Sequence, residues 1–176
     1  MLSWATIEQA IAAWAQSASG LAASNVRWGL QDAPTPERPF VTLVWGARDM
    51  QLGNPVRDEK RTTSTAGTQS IVHFRTHSLS VQYFAAVPTA ASGASGHASA
   101  ALGQMIRSLQ TEATRAQLLV AGLRIATIGT PADVSALLET SYDTRAAVDL
   151  EFATADQTTE QVGTISTVDG PTGTVT

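Results

Sequence analysis

Cysteine is absent from the chain, and with it go disulfides, zinc fingers, iron–sulfur clusters and thiol nucleophiles. Charge is sparse: Asp, Glu, Lys and Arg make up 15% of residues, against roughly a quarter in an ordinary globular domain. The 15 acids outnumber the 11 bases, for a formal net charge of −4. That excess argues against a broad basic face for gripping a nucleic-acid backbone, although a local basic patch is compatible with it. No apolar run approaches the ~20 residues that span a bilayer. The start, Met1-Leu2-Ser3-Trp4-Ala5, lacks a basic n-region, and Glu8 and Gln9 interrupt any apolar h-region. A soluble, unsecreted protein with no membrane partner is expected. Also missing are the G-x-S-x-G elbow, the P-loop and the G-x-G-x-x-G turn.

What is present is a chain of 176 residues, 43% hydrophobic and rich in Ala, Ser, Thr and Gly. Its length suits one domain with a substantial core. The expected domain runs over 1–168, and residues 169–176, with Gly170-Pro171-Thr172-Gly173, are expected to form a flexible tail. Small neutral residues suit a surface covered in part by copies of itself.

The hydrophobic pattern sets the elements. Ile7, Ala10, Ile11, Trp14 and Ala18 trace one helical stripe. Ser3, or a Thr6/Gln9 capping box, is placed to start that helix and Gly20 to stop it. Val26, Trp28 and Leu30 alternate around Arg27. Three prolines between Pro34 and Pro39 then forbid helix and central strand. A strand from Phe40 to about Met50 carries Val41, Leu43 and Trp45 on one face. Residues 51–69 show no periodicity and read as a long connection, of the kind that is functional or disordered. Leu79, Val81 and Tyr83 alternate within a strand from about Ile71 to Ala86.

After an Ala/Ser/Gly linker over 88–96, Ala98, Ala101, Leu102, Met105, Ile106 and Leu109 trace a second helix. Glu112 to Val120 continues helically, with or without a break near Thr111, and Gly122 ends it. A strand over Leu123–Ile128 and a short helical turn around Val134–Leu138 are expected next. The clearest strand follows: Ala146, Val148, Leu150 and Phe152 on one face, Asp149 and Glu151 on the other. A last strand is expected over Val162–Val168. This grouping predicts an α+β fold, a mainly antiparallel sheet with two principal helices packed on one face.

Candidate chemistry is thin. His73 and His77 share a strand face, and a zinc site on them would support a small metal-dependent hydrolase or a ligand-binding α+β domain. Only His97 remains as a further histidine, so a polar face turned to solvent or to another subunit is the plainer reading. Asp149 and Glu151 form a same-face carboxylate pair without a substrate signature. Ser95, in Gly93-Ala94-Ser95-Gly96-His97, lacks the glycine spacing of a nucleophile elbow and reads as a linker residue near a helix cap. The four tryptophans lack an interleaved basic comb, so Trp14, Trp28 and Trp45 at least are expected in the core. No catalytic residue, metal or cofactor is assigned. The densest charge cluster, Arg57-Asp58-Glu59-Lys60-Arg61, lies in the long connection and is the candidate interaction loop.

Taken in order, several segments carry a resemblance. They are the N-terminal helix, Trp28-Gly29-Leu30-Gln31-Asp32-Ala33-Pro34, Arg38-Pro39-Phe40-Val41, Leu79-Ser80-Val81-Gln82-Tyr83-Phe84, Ala121-Gly122-Leu123 and Arg145-Ala146-Ala147-Val148-Asp149-Leu150 with Val162-Gly163-Thr164-Ile165. Together they resemble the neck or tail-terminator proteins of tailed bacteriophages and prophages, from roughly Ser3 to Val168. The resemblance implies a virion structural protein and no enzyme. It implies a homo-oligomeric ring, typically a hexamer, that caps the tail tube and docks the head-completion or connector protein. DNA would pass through such a ring without sequence-specific binding. Assembly would take place in the host bacterial cytoplasm.

Overall fold

The computed structural model describes residues 3–29, 34–61, 66–86, 97–138 and 141–163. Helix α1, Trp4–Ser19, buries Ile7, Ile11, Trp14 and Ala15 along one stripe. It starts with Ser3 at the N-cap, whose side chain makes no capping hydrogen bond. It stops at Gly20, whose φ of 69° is the left-handed conformation that glycine adopts without a Cβ penalty. Strand β1, Val26–Trp28, pairs in parallel with β2, Phe40–Trp45. This is the parallel pair in a sheet that is otherwise antiparallel. The proline-rich return between the two strands is tied down by Asn25, whose Nδ2 donates to the carbonyls of Glu37 (3.1 Å) and Pro39 (2.8 Å).

Strands β3 (Met50–Gln51), β4 (Val56–Arg61) and β5 (Ala66–Phe84) follow. The expected structureless connection over 51–69 is therefore corrected to strand for much of its length. β4 pairs with β5 from Val56↔Val72 to Arg61↔Gly67. The reason the pattern stayed hidden is physical: a run of mostly charged residues has no apolar alternation to read, and its extended form is set by a ladder partner.

Helices α2 (His97–Ser108) and α3 (Glu112–Val120) come next, separated by a true break. The Thr111 side chain caps α3 by accepting from the Thr114 N–H. At its other end Leu123 N–H bonds Leu118 O and Gly122 N–H bonds Leu119 O. That pair of bonds is a Schellman closure, with Gly122 at φ 76°. The described residues thus contain three α-helices, the helical stretch expected over Glu112–Val120 being a separate one after the break.

Strand β6, Arg124–Ile128, precedes two short strands, β7 (Ala132–Asp133) and β8 (Ala136–Leu138). The helical turn expected around Val134–Leu138 is corrected accordingly: β7 pairs with the last strand, and β8 with β9, Ser141–Asp143. Strand β10 then runs unbroken from Arg145 to Gly163, past the end of the alternation at Phe152; of the strand expected over Val162–Val168, only Val162 and Gly163 are among the described residues, and they belong to β10. Leu30, the linker over 87–96 with Ser95, and residues 164–176 with the expected tail lie outside the described residues.

β5 and β10 are the spine. Each has 19 residues, a length of about 60 Å at ~3.3 Å per residue. They pair antiparallel over their full length, from Arg145↔Phe84 to Gly163↔Ala66. The main sheet runs β1-β2-β5-β10-β6. All three helices pack on one of its faces, α1 against α2 and α3, and α2 against β5 and β10. His77, Leu79, Val81 and Tyr83 of β5 and Ala146, Val148, Leu150, Phe152 and Thr154 of β10 point into that layer and are buried. The Trp14 indole N–H donates to Ser108 Oγ at 3.0 Å, locking α1 to the end of α2.

Candidate assembly surface

Burial along the two spine strands stops abruptly. Beyond His77 and Thr154, none of Thr68–Thr76 or Ala155–Gln161 is buried. Here β3, β4, β5 and β10 leave the helical layer and form a β arm with no buried residue among those whose side chains are described.

Its two faces differ. On the helix-ward side, β5 presents His73, Arg75 and then buried His77. Arg75 pairs with Asp49 at 3.2 Å, an exposed contact worth little energy. On the opposite side, register places Met50 across from Thr76 and Val56 across from Val72. The Leu52 N–H bonds Phe74 O at 2.9 Å, continuing the same alternation. Met50 (42% exposed), Leu52 (59%), Phe74 (41%) and Val56 (54%) therefore share one face. Exposed clustering of large apolar side chains marks a contact surface more often than a free one. Sequence periodicity missed this stripe, because a turn at Gly53-Asn54-Pro55 divides it and its partners lie some 20 residues away. The available signal was the paired alternation of Met50 with Leu52 and Val72 with Phe74.

The charge cluster Arg57, Asp58, Glu59, Lys60 and Arg61 constitutes β4, opposite Ile71, Ser70, Gln69, Thr68 and Gly67 in turn. It is a hydrogen-bonded strand rather than a loop. Among the described residues its other edge has no strand partner, and neither has the outer edge of β10 beyond Ala153.

The histidines do not assemble a site. Four residues apart on one strand, they stand about 13 Å from each other. His77 is 1% exposed, which corrects the expectation of a face turned to solvent or to a subunit. Its Nδ1 accepts from the Asp49 N–H at 3.0 Å, so the proton sits on Nε2, which donates to Thr154 Oγ1 at 3.0 Å. Desolvation by burial holds its pKa below 6.5; Asp49 opposes the shift, and Arg75 and Arg48 add to it. Both nitrogens are thus engaged and the ring is neutral. Asp149 and Glu151 are exposed on the sheet face opposite the helices, away from both histidines. Among the described residues no group of three His, Asp or Glu is arranged to hold a metal ion.

Of the tryptophans, Trp14 is core at 2% exposed. Trp28 and Trp45 are half-buried and stacked on each other, with centroids 5.5 Å apart. Trp4 meets Trp45 edge-on at 5.6 Å, the Arg48 guanidinium lies 5.3 Å from both rings, and Glu8 accepts the Trp45 indole N–H at 3.1 Å. This cluster fastens α1 to β2 at the sheet margin.

The class defined by this geometry is an α+β protein whose conspicuous surface is an apolar-faced β arm, not a cleft of converging titratable groups. The phage neck terminator protein family matches residues 5–176, nearly the whole chain, and the chain belongs to that family. It is a structural protein of the phage neck and a component of the virion. No curated protein sequence matches the chain significantly. Among the described residues no helix is long and apolar enough to cross a membrane.

Proposed function

We propose that the chain assembles into a homo-oligomeric ring of six that caps the completed tail tube and offers its other face to the head-completion or connector protein, without catalysing a reaction. The observation that carries this reading is the family match over residues 5–176. The arm supports it. An exposed apolar face and two strand edges that have no partner among the described residues suit contacts between protein surfaces. A closed ring needs head-to-tail contacts between unlike patches, which an arm leaving the body can supply. The cluster Arg57–Arg61 is the part of the arm assigned to partner contact, and the net charge of −4 suits a lumen through which DNA slides without being held. The purified chain, added to polymerising tail-tube protein, is expected to stop elongation and leave a ring at one tube end in electron micrographs. Tubes that grow as long with the chain as without it, and carry no cap, would overturn the reading.

A further inference from the structure

The outer edge of β10 is covered in its first half and then left open. β7 pairs with Ala146 and Ala147, and β6 with residues 150–153. From Thr154 to Gly163 no strand lies on that edge among the described residues. Where the arm is three strands wide, Val72 of β5 stands between Val56 of β4 and Gln157 of β10, so the outer edge of β4 forms the other margin. Edges that stay unpaired are usually blunted by bulges, prolines or lysines. Residues 154–163 contain no Pro, Lys or Arg, and their register with β5 runs without a shift. That is a strand edge with nothing on it to turn a further strand away.

We infer that the open β10 edge of one copy pairs in parallel with the β4 edge of the next, Arg57 beside Asp156 and Arg61 beside Glu160. The inference rests on the ring reading and specifies the edges that form its contact. Three observations select a second copy as the occupant. First, a cyclic contact joins two unlike surfaces present on every subunit, and β4 and β10 are the two unlike margins of one arm. Second, both run antiparallel to β5 and therefore run the same way. Rotation about a ring axis preserves strand sense, so the β10 of one copy meets the β4 of the next in parallel. A two-fold axis would instead bring like edges together antiparallel. Third, the charges are complementary in sign and spacing. Register with β5 puts positions 57 and 61 of β4 on the same helix-ward face as positions 156 and 160 of β10. Two bases four residues apart thus match two acids four residues apart. Among the described residues, Arg57, Asp156 and Glu160 enter no ion pair within their own chain.

The cysteine-free chain lets the two edges be mapped residue by residue. Single variants from Val56→Cys to Arg61→Cys and from Ala155→Cys to Gln161→Cys are assembled as mixtures, one from each strand, and oxidised. A disulfide needs Cα atoms within about 7 Å, so a covalent dimer reports neighbouring strands in different copies. Dimers are expected for Arg57→Cys with Asp156→Cys and for the pairs in step with it, such as Glu59→Cys with Thr158→Cys. Each variant assembled with itself should stay monomeric on a denaturing gel, because like edges then lie three strands apart, about 14 Å. Charge gives an independent readout. Asp156→Arg with Glu160→Arg should weaken assembly about tenfold or more in light scattering, since like charges then face each other. Adding Arg57→Asp and Arg61→Asp to the same chain should restore it. Suppose wild-type chain forms rings but no mixture gives dimers, or the dimers run in opposite step, with Arg57→Cys joined to Glu160→Cys and Arg61→Cys to Asp156→Cys. Suppose instead that the charge-reversed chain assembles as well as wild type, or that the added acids restore nothing. Any of these overturns the edge-to-edge contact while the ring reading stands. If wild-type chain forms no closed oligomer, alone or on tail tubes, the ring reading falls and this inference falls with it.

Discussion

The residue with most at stake is His77. It uses both ring nitrogens internally and touches Trp4 edge-on at 5.0 Å, so it joins α1, the Asp49 turn and β10 at the point where the arm leaves the body. Asp49 itself adopts φ 55°, an uncommon conformation for a residue with a side chain. Replacing His77 by Ala leaves a hole and strips Thr154 of its partner, so a loss of about 2–3 kcal/mol in urea titration is expected. A second consequence concerns pH. The folded-state pKa lies below the ordinary 6.5 because burial disfavours the imidazolium. As pH falls through that ordinary value, the unfolded chain takes up a proton before the folded one does. The stabilisation is complete above 6.5 and is lost on acidification toward the folded-state value. The urea midpoint of wild type should therefore fall between about pH 7.5 and pH 5.5, and His77→Gln should flatten that fall. An identical pH profile in the variant would remove His77 from the account.

At the scale of elements, helices and core strands were legible in the sequence because each has one wet and one dry face. The stripe of α2 is the clearest case. Leu102, Met105 and Leu109 are fully buried, whereas Gln104 and Arg107 are exposed. Leu102→Ala or Leu109→Ala is expected to cost about 2–5 kcal/mol, depending on how far the site collapses. Arg107→Ala should change stability by no more than about 0.5 kcal/mol. Equal losses at buried and exposed positions would mean that the helix is not packed as observed. The Schellman end of α3 was legible too, through Gly122. Gly122→Ala forces a Cβ into the left-handed region and should cost about 1–2 kcal/mol.

What escaped was everything whose order comes from a ladder instead of from burial. β4 has no apolar period, and its place is set by register with residues 67–72. The distal half of β10, rich in Thr and Gln, is extended because β5 runs beside it. The parallel pairing of β1 with β2 is likewise a property of topology that no local pattern encodes. The candidate site was half legible for the same reason. Arg57–Arg61 stood out by charge, while the apolar stripe beside it exists only once strands are brought together.

At the scale of the whole molecule, the division into a packed body and an arm with no buried residue among its described side chains sets the last expectation. The core draws on the helices, β1, β2, the inner part of β5 and the first half of β10, and the described side chains of β4, Val56 and Arg57, lie outside it. Replacing Arg57–Arg61 by a short Gly-Ser link should therefore spare the body, since loop-closure entropy changes slowly with length. It does remove a hydrogen-bonded strand from β5, so hydrogen exchange over 67–72 should speed up while exchange in α1, α2 and 79–83 stays slow. If the arm is the assembly device, this variant keeps the near-ultraviolet spectrum of its packed tryptophans yet fails to close rings or to arrest tube growth. Should it instead lose that spectrum, the arm belongs to the folding unit. Should it keep the spectrum and cap tubes normally, Arg57–Arg61 has no part in partner contact.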